Sequence, residues 1–263
     1  MSEHTLEIER RGQVGWIWLS RPDVHNAFDA NLITQLTDAF RSLDADAGVR
    51  VIVLAAHGRS FSAGAQVQWM KQQGAASLEE NQADARRLAA LFQGISDCSK
   101  PTIARVHGAA LGGGVGLVAS CDIAIGSVSA VFATTEVRLG LIPATIGPYV
   151  MRAIGERQAR RFFQTGERFD ALTAQRIGLL HDVVEPETLD ERVDAVCQAL
   201  LAGAPVGMAE AKQLISAIAN RPVTEEVIED TAGRIARRRA HGEAAEGLSA
   251  FLEKRPAAWV PTR

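Results

Sequence analysis

The chain has 263 residues, of which 47% are hydrophobic and 22% are charged, and its formal net charge is −3. A chain of this length fits one large domain, or a domain with an appendage, and can bury a sizeable core. The weak negative charge gives no reason to expect nucleic acid as a partner. No window approaches the ~20 uninterrupted apolar residues of a membrane span, which predicts no membrane partner.

The N-terminal residues and the cysteines indicate where the protein is expected to act. Residues 1–11 are charged and lack an apolar core, so they do not resemble a secretory signal. Cys98, Cys121 and Cys197 are odd in number, and no C-x-x-C or His/Cys metal spacing occurs. We therefore expect a cytoplasmic protein with reduced thiols, no metal and no nucleophilic cysteine.

The first half of the chain alternates short apolar strands with helices. Residues 6–9 and 14–19 flank a polar turn and predict a β-hairpin. Asp29 predicts the N-cap of a helix whose apolar residues have helical spacing. Further strands are predicted at residues 51–56, 102–106, 121–126 and 130–132, with a long helix near 81–95. After residue 143 the pattern is mostly helical, with a short extended piece at 182–185.

Two strands lead into glycine-rich turns at residues 57–65 and 107–114, and the helices that follow are predicted to begin at Gln66 and Val115. The second turn lacks the Lys-Ser/Thr of a phosphate loop and has the wrong spacing for a dinucleotide fingerprint. One interpretation is that its glycines only allow close helix packing. Taken together, the two turns on parallel strands favour a second interpretation, in which each offers one backbone N–H to the same oxygen.

Four segments, at residues 21–28, 61–65, 108–122 and 135–143, resemble the crotonase (enoyl-CoA hydratase/isomerase) family in this order and spacing. The resemblance covers essentially the whole chain. It implies an α/β fold with a ββα spiral core and a C-terminal helical region. Residues 1–200 would form the CoA-binding and catalytic core, and residues 201–263 a trimerisation region. A homotrimer, commonly paired into a hexamer, is also implied.

Within the family, the Gly-Gly-Gly-Val-Gly-Leu segment at 112–117 and the tail at 246–256 resemble hydratases of 3-methylglutaconyl-CoA or isohexenylglutaconyl-CoA. Those enzymes serve leucine and acyclic-terpene breakdown. The first hypothesis is therefore a cofactor-free lyase that uses coenzyme A only as part of its acyl-CoA substrate. The alternatives are a Δ3,Δ2-enoyl-CoA isomerase and a catalytically silent CoA-binding paralogue.

The resemblance also implies roles for individual residues. The N–H groups of Ala65 and Gly113 would form the oxyanion hole, and Glu136 would transfer protons. The CoA contacts would be Val24, His25, Ala27, Ala63, Gly64, Ala65, Gln66 and Val67. The acyl pocket would be lined by Trp69, Met70, Gly116 and Leu141, although aromatic and Met residues at helical spacing are more often core.

Gly116 stands where family hydratases carry a second glutamate. Three explanations are open. Glu136 acts as both base and acid; a polar group, or the substrate's own second carboxylate, occupies the space beside Gly116; or the enzyme needs only one carboxylate, as an isomerase does.

A second departure is Gln66, where the family commonly has Asp. Its loss of charge either removes a repulsion from an acidic acyl tail or is a tolerated polar exchange. His25, His57 and His107 have no triad-like partner and are interpreted as structural. The basic run at 234–239 is interpreted as a solvated helix face, with a phosphate contact as its alternative. The small run at 144–147 fits either room for a branched acyl group or a tight helix entry.

Overall fold

A computed structural model describes residues 5–261. Its strands, in chain order, are β1 (Leu6–Arg11), β2 (Val14–Leu19), β3 (Val51–Ala56), β4 (Thr102–Val106), β5 (Ala109–Leu111), β6 (Ile123–Ser127), β7 (Val131–Ala133), β8 (Phe169–Asp170) and β9 (Asp182–Val184). The helices are α1 (Ala30–Ala45), α2 (Val67–Gly74), α3 (Leu78–Ser96), α4 (Gly113–Ser120), α5 (Gly147–Thr165), α6 (Ala171–Arg176), α7 (Leu189–Leu201), α8 (Pro205–Ile218), α9 (Glu225–Arg239) and α10 (Gly242–Leu252).

The larger sheet has six strands in the order β1-β2-β3-β4-β6-β9. β1 and β2 form the predicted antiparallel hairpin, and every later neighbour is parallel. All residues of β2 and β3 are buried. Their unbroken apolar runs are those of parallel strands covered on both faces.

A smaller sheet contains β5, β7 and β8. Two isolated parallel bridges, Phe28 to Ala65 and Ser62 to Ala110, extend the same ladder into the loops that follow β2 and β3. Successive turns of the chain therefore contribute one strand to the larger sheet and one segment to the smaller sheet before a helix returns. This spiral confirms the predicted α/β fold class with its C-terminal helices.

Most predicted elements lie within a few residues of those found. β5 and β8 were not predicted, because β5 lies inside the glycine-rich turn and β8 has only two residues. α4 begins at Gly113, two residues before the predicted start. The predicted domain boundary at residue 200 falls in the last turn of α7 and stays a prediction.

Candidate active site

The turn at residues 62–66 is aligned by the backbone of Phe28. Phe28 N–H donates to Gly64 O at 2.8 Å, and Gln66 N–H donates to Phe28 O at 2.9 Å. These bonds form a parallel bridge opposite Ala65. Since the flanking residues make the bonds in such a bridge, the N–H of Ala65 itself points away from Phe28.

Gly64 brings this turn against the start of α4. Its φ of +81° lies in the left-handed region that favours glycine. A Cβ on Gly64 would lie 2.6 Å from the carbonyl oxygen of Leu111 and 3.3 Å from the nitrogen of Gly113. The turn that carries Ala65 therefore packs directly on the turn that carries Gly113.

Gly113 is the first residue of α4, and Gly112 precedes it with a φ of +51°. The first N–H groups of a helix have no acceptor inside the helix. Within residues 5–261, the N–H groups of Ala65 and Gly113 donate to no protein acceptor. Two free backbone donors thus lie on adjoining turns.

Glu136 lies over the same turn. It opens a short 3₁₀ helix, Glu136–Leu139, and a Cβ on Gly112 would lie 3.2 Å from its Oε1. Its Oε2 is buried and has no hydrogen-bond partner among the described residues. Burial raises the pKa of Glu136 above its usual range, opposed by a hydrogen bond from its own backbone N–H. A half-buried carboxyl with an unpartnered oxygen beside free donors is suited to proton transfer.

The space beside Gly116 is filled by apolar side chains. A Cβ on Gly116 would lie 2.3 Å from Ile146 Cγ2 and 2.9 Å from Phe92 Cε1. Ile146 itself is 2% exposed. Apolar side chains therefore lie directly against Gly116, which disfavours the hypothesis that a polar group or a substrate carboxylate occupies this space. The structure also favours the tight helix entry at 144–147, because Ile146 is the N-cap of α5 and packs on Gly116.

The segment at 21–28 is fastened to the first turn by Asn26, which is fully buried. Asn26 Oδ1 accepts a hydrogen bond from Arg21 N–H at 2.8 Å, and Nδ2 donates to His57 O at 2.9 Å and to Ser60 O at 2.8 Å. The buried amide is therefore satisfied on both ends. Because it joins two loops, it fixes their register.

Comparison with known proteins assigns the chain to a protein family. The family model described as enoyl-CoA hydratase/isomerase matches residues 9–261. The chain belongs to this family. A probable enoyl-CoA hydratase of Rhizobium meliloti is 35% identical over 263 residues, covering 98% of each chain. A crotonyl-CoA hydratase of Syntrophomonas wolfei is 30% identical over 267 residues, covering 99% of each.

A crystal structure of an enoyl-CoA hydratase from Shewanella pealeana superposes with a TM-score of 0.95 at 41% identity, covering 98% of this chain and 97% of that one. The names of these relatives are those of hydro-lyases, which confirms the predicted enzyme class. Neither the acyl group nor the individual site residues are decided by them.

The remaining residues predicted from the enoyl-CoA hydratase/isomerase family are distributed around the two turns. Val24 and Val67 are 38% and 68% exposed. Trp69 packs against the main core with its Nε1 buried and unpartnered among the described residues. Met70 is half-buried in α2, and Leu141, which donates its N–H to Glu136 O at 3.0 Å, is 47% exposed.

The three histidines that were interpreted as structural, His25, His57 and His107, each contact a neighbouring group. His25 Nδ1 lies 3.1 Å from Ser60 Oγ, and His57 stacks on Trp18 with a centroid distance of 4.7 Å. His107 Nε2 lies 2.8 Å from Gly58 O. Burial lowers the pKa of His107, which favours the neutral ring.

The thiols and the basic run also have ordinary environments. Burial raises the pKa of Cys98 and of Cys197 to about 12, so little thiolate exists at neutral pH. In the basic run, Arg234 pairs with Asp230, and Arg238 with Glu210 and Glu243. In residues 5–261 there is no cluster of three His, Cys, Asp or Glu that could hold a metal, and no helix is apolar and long enough to span a bilayer.

Sequence reasoning missed Phe28, Asn26 and Ile146 as site residues of this family member. Asn26 and Phe28 lie inside a segment that was recognised only as a motif. Ile146 contacts Gly116 from 30 positions away, and no local pattern signals such a contact. The one available signal was that Asn26 is a polar residue in a loop, because polar residues that are buried in loops are usually held by hydrogen bonds.

Proposed function

We propose that this chain hydrates the double bond of a 3-substituted glutaconyl-CoA, either the 3-methyl or the isohexenyl thioester. Glu136 transfers the protons, and the N–H groups of Ala65 and Gly113 bind the thioester oxygen. The observation that carries the proposal is the meeting of three parts: the Gly64 turn packs on the nitrogen of Gly113, and the Glu136 carboxyl lies over Gly112. The reaction uses no cofactor beyond the CoA of the substrate.

The two N–H groups supply the electrostatic part. Addition of water to a conjugated thioester moves negative charge onto the carbonyl oxygen, so donors that strengthen there lower the barrier. Loss of one such donor costs about 3 kcal/mol in other enzymes. Because the donors belong to the backbone, the flanking side chains act only by leaving the approach open.

Glu136 supplies the proton transfers. Its carboxylate takes a proton from water as the hydroxide bonds to Cβ, and the resulting carboxylic acid then returns one proton to Cα of the enolate. The net change is addition of one water, and Glu136 regains its charge. The apolar contact of Gly116 with Ile146 and Phe92 occupies the place of a second carboxylate, which supports a mechanism with a single acid and base.

The acyl group is proposed from the sequence. The Gly-Gly-Gly-Val-Gly-Leu segment and the 246–256 tail resemble hydratases of substituted glutaconyl-CoA, whose acyl chain ends in a carboxylate. Gln66 leaves the start of α2 without the negative charge that Asp would bring. The buried Nε1–H of Trp69 is an unused donor in the same helix.

A substrate panel tests the proposal. Purified protein is mixed with 3-methylglutaconyl-CoA, isohexenylglutaconyl-CoA, crotonyl-CoA and a 3-enoyl-CoA, and the absorbance of the conjugated thioester is followed. The expected result is a loss of absorbance with the largest kcat/KM on a glutaconyl thioester. A preference for crotonyl-CoA contradicts the acyl group, a gain of absorbance on the 3-enoyl-CoA indicates an isomerase, and no change on any thioester indicates a silent paralogue.

We also propose a homotrimer, alone or paired as a hexamer, in the cytoplasm. The C-terminal helices leave large apolar side chains uncovered: in α10, Leu248, Phe251 and Leu252 are 65%, 82% and 79% exposed, respectively. Contiguous exposed apolar surface of this kind marks protein–protein contacts. Light scattering on the purified protein should give three or six times 28.2 kDa, and a monomer would contradict it.

A further inference from the structure

Phe28 contacts both turns that carry the proposed oxyanion donors. Its backbone bonds to the residues on either side of Ala65, through Gly64 O at 2.8 Å and Gln66 N at 2.9 Å. Its ring lies under the second turn, since a Cβ on Gly113 would fall 2.2 Å from Cζ and 2.7 Å from Cε2. The side chain is fully buried.

We propose that Phe28 is a positioning residue that sets the separation of the two donor N–H groups. This inference rests on the proposed oxyanion function. Protein interiors are close-packed, so the volume of the ring, which lies against Gly113, limits the positions that the start of α4 can take. The backbone of the same residue fixes the direction of the Ala65 N–H. Phe28 therefore contacts the supports of both donors, through its backbone on one side and its ring on the other.

The residues before and after Phe28 in the chain are both held by hydrogen bonds. Asn26, two residues before it, is locked by three hydrogen bonds of its buried amide. Asp29, directly after it, caps α1 by accepting from Leu32 N–H at 3.0 Å and pairs with Arg21 at 2.8 Å. The backbone on both sides of the ring is thus held in place by hydrogen bonds to other parts of the chain.

The kinetic test is a double-mutant cycle of Phe28→Leu and Gly113→Ala with 3-methylglutaconyl-CoA as the substrate. If the wild type hydrates crotonyl-CoA but not 3-methylglutaconyl-CoA, crotonyl-CoA is used instead. Leu lacks the distal ring atoms that a Cβ at position 113 would meet. We expect Phe28→Leu to lower kcat about tenfold with KM changed less than about twofold. Gly113→Ala alone should lower kcat by about 100-fold or more, the scale for a displaced oxyanion donor.

In the Phe28→Leu background, Gly113→Ala should cost less than about tenfold further, because contacting residues do not act additively. Equal costs of Gly113→Ala in the two backgrounds would overturn the inference. The matched control is Phe40→Leu in α1, which removes another buried ring from the same core and should leave kcat unchanged. If Phe28→Leu does not fold, Phe28→Met removes the same ring atoms and takes its place.

A spectroscopic test needs no turnover. Butyryl-CoA carrying ¹³C at the carbonyl carbon has no double bond to hydrate, and hydrogen bonds to its oxygen lower the C=O stretching frequency. The wild type should lower this frequency, Phe28→Leu should lose part of the shift, and Phe40→Leu should retain it. A full shift in Phe28→Leu, with only the melting temperature reduced, would make Phe28 an ordinary core residue. No shift in the wild type would instead refute the oxyanion function itself.

Discussion

The two sides of the candidate site are built in opposite ways. The donor side consists of backbone groups from two turns, each held by hydrogen bonds and close contacts at Phe28, Gly64 and Gly113. The proposed proton-transfer side depends on one side chain, Glu136, and the neighbouring position, Gly116, is surrounded by apolar side chains. In the proposed mechanism, charge stabilisation is therefore distributed over the fold, whereas proton transfer is concentrated in a single residue.

This contrast predicts different sensitivities to mutation. On the donor side, a mutation should lower activity when it adds volume, because no side chain there makes the proposed contact with the substrate oxygen. On the proton-transfer side, a mutation should lower activity when it removes the charge of Glu136.

The largest effect is expected from Glu136→Gln. Gln keeps the size of the side chain but cannot accept the proton of water, so kcat should fall by about 10²–10⁴-fold, the usual contribution of general acid–base catalysis. KM should change little, because the oxyanion donors remain. Steady-state kinetics on the best thioester of the panel measures both constants.

The matched control is Glu187→Gln, which removes an exposed carboxylate from another short 3₁₀ helix, Pro186–Thr188. Its kcat should equal that of the wild type. A Glu136→Gln enzyme that retains more than about a tenth of the wild-type kcat would exclude the role of Glu136 as the base.

The pH dependence should be the next largest effect. The base is the ionised carboxylate, and burial raises the pKa of Glu136. As pH falls through this raised pKa, kcat/KM should drop by about tenfold per unit, and the midpoint should lie above the ~4.3 of an exposed Glu. A midpoint at or below the ordinary value would contradict the burial of this carboxyl.

The β-hairpin, the N-cap of α1 and the two glycine-rich turns could be predicted from the sequence. Each depends on a local pattern, such as an apolar run or an Asp at an N-cap. The sequence was insufficient for what surrounds Gly116. The missing carboxylate was visible in the sequence, but the replacement by Ile146 and Phe92 is a contact between distant segments. The same limitation hid Phe28, whose ring meets a glycine 85 positions later.

Gly116→Ala probes the apolar wall through stability. The added methyl group would overlap Ile146 and Phe92, and overpacking of this kind costs about 1–3 kcal/mol. Replacing Gly by Ala inside a helix otherwise gains up to ~1 kcal/mol. We therefore expect a lower free energy of unfolding in urea titrations.

The control for this change is Gly94→Ala in α3, where a Cβ would meet nothing within 4 Å. It should be as stable as the wild type or more stable. If Gly116→Ala behaved like Gly94→Ala, the wall would have room, and a polar group or substrate carboxylate beside Gly116 would again be possible.

The smallest effect is expected from Gln66→Asp. The new charge at the start of α2 should repel an acidic acyl tail and raise KM for 3-methylglutaconyl-CoA by about two- to fivefold, as for a partly exposed charge pair. KM for crotonyl-CoA, which has no second carboxylate, serves as the internal control and should be unchanged. Equal changes for both thioesters would dismiss a link between Gln66 and the acyl tail.

The most direct test of the proposed oxyanion hole is a crystal structure of the protein with butyryl-CoA bound. We predict that the thioester oxygen lies about 2.7–3.1 Å from the backbone nitrogens of both Ala65 and Gly113, with the Glu136 carboxyl facing Cα and Cβ. A thioester oxygen that contacts neither nitrogen, or that is bound by a side chain instead, would contradict the proposed oxyanion hole.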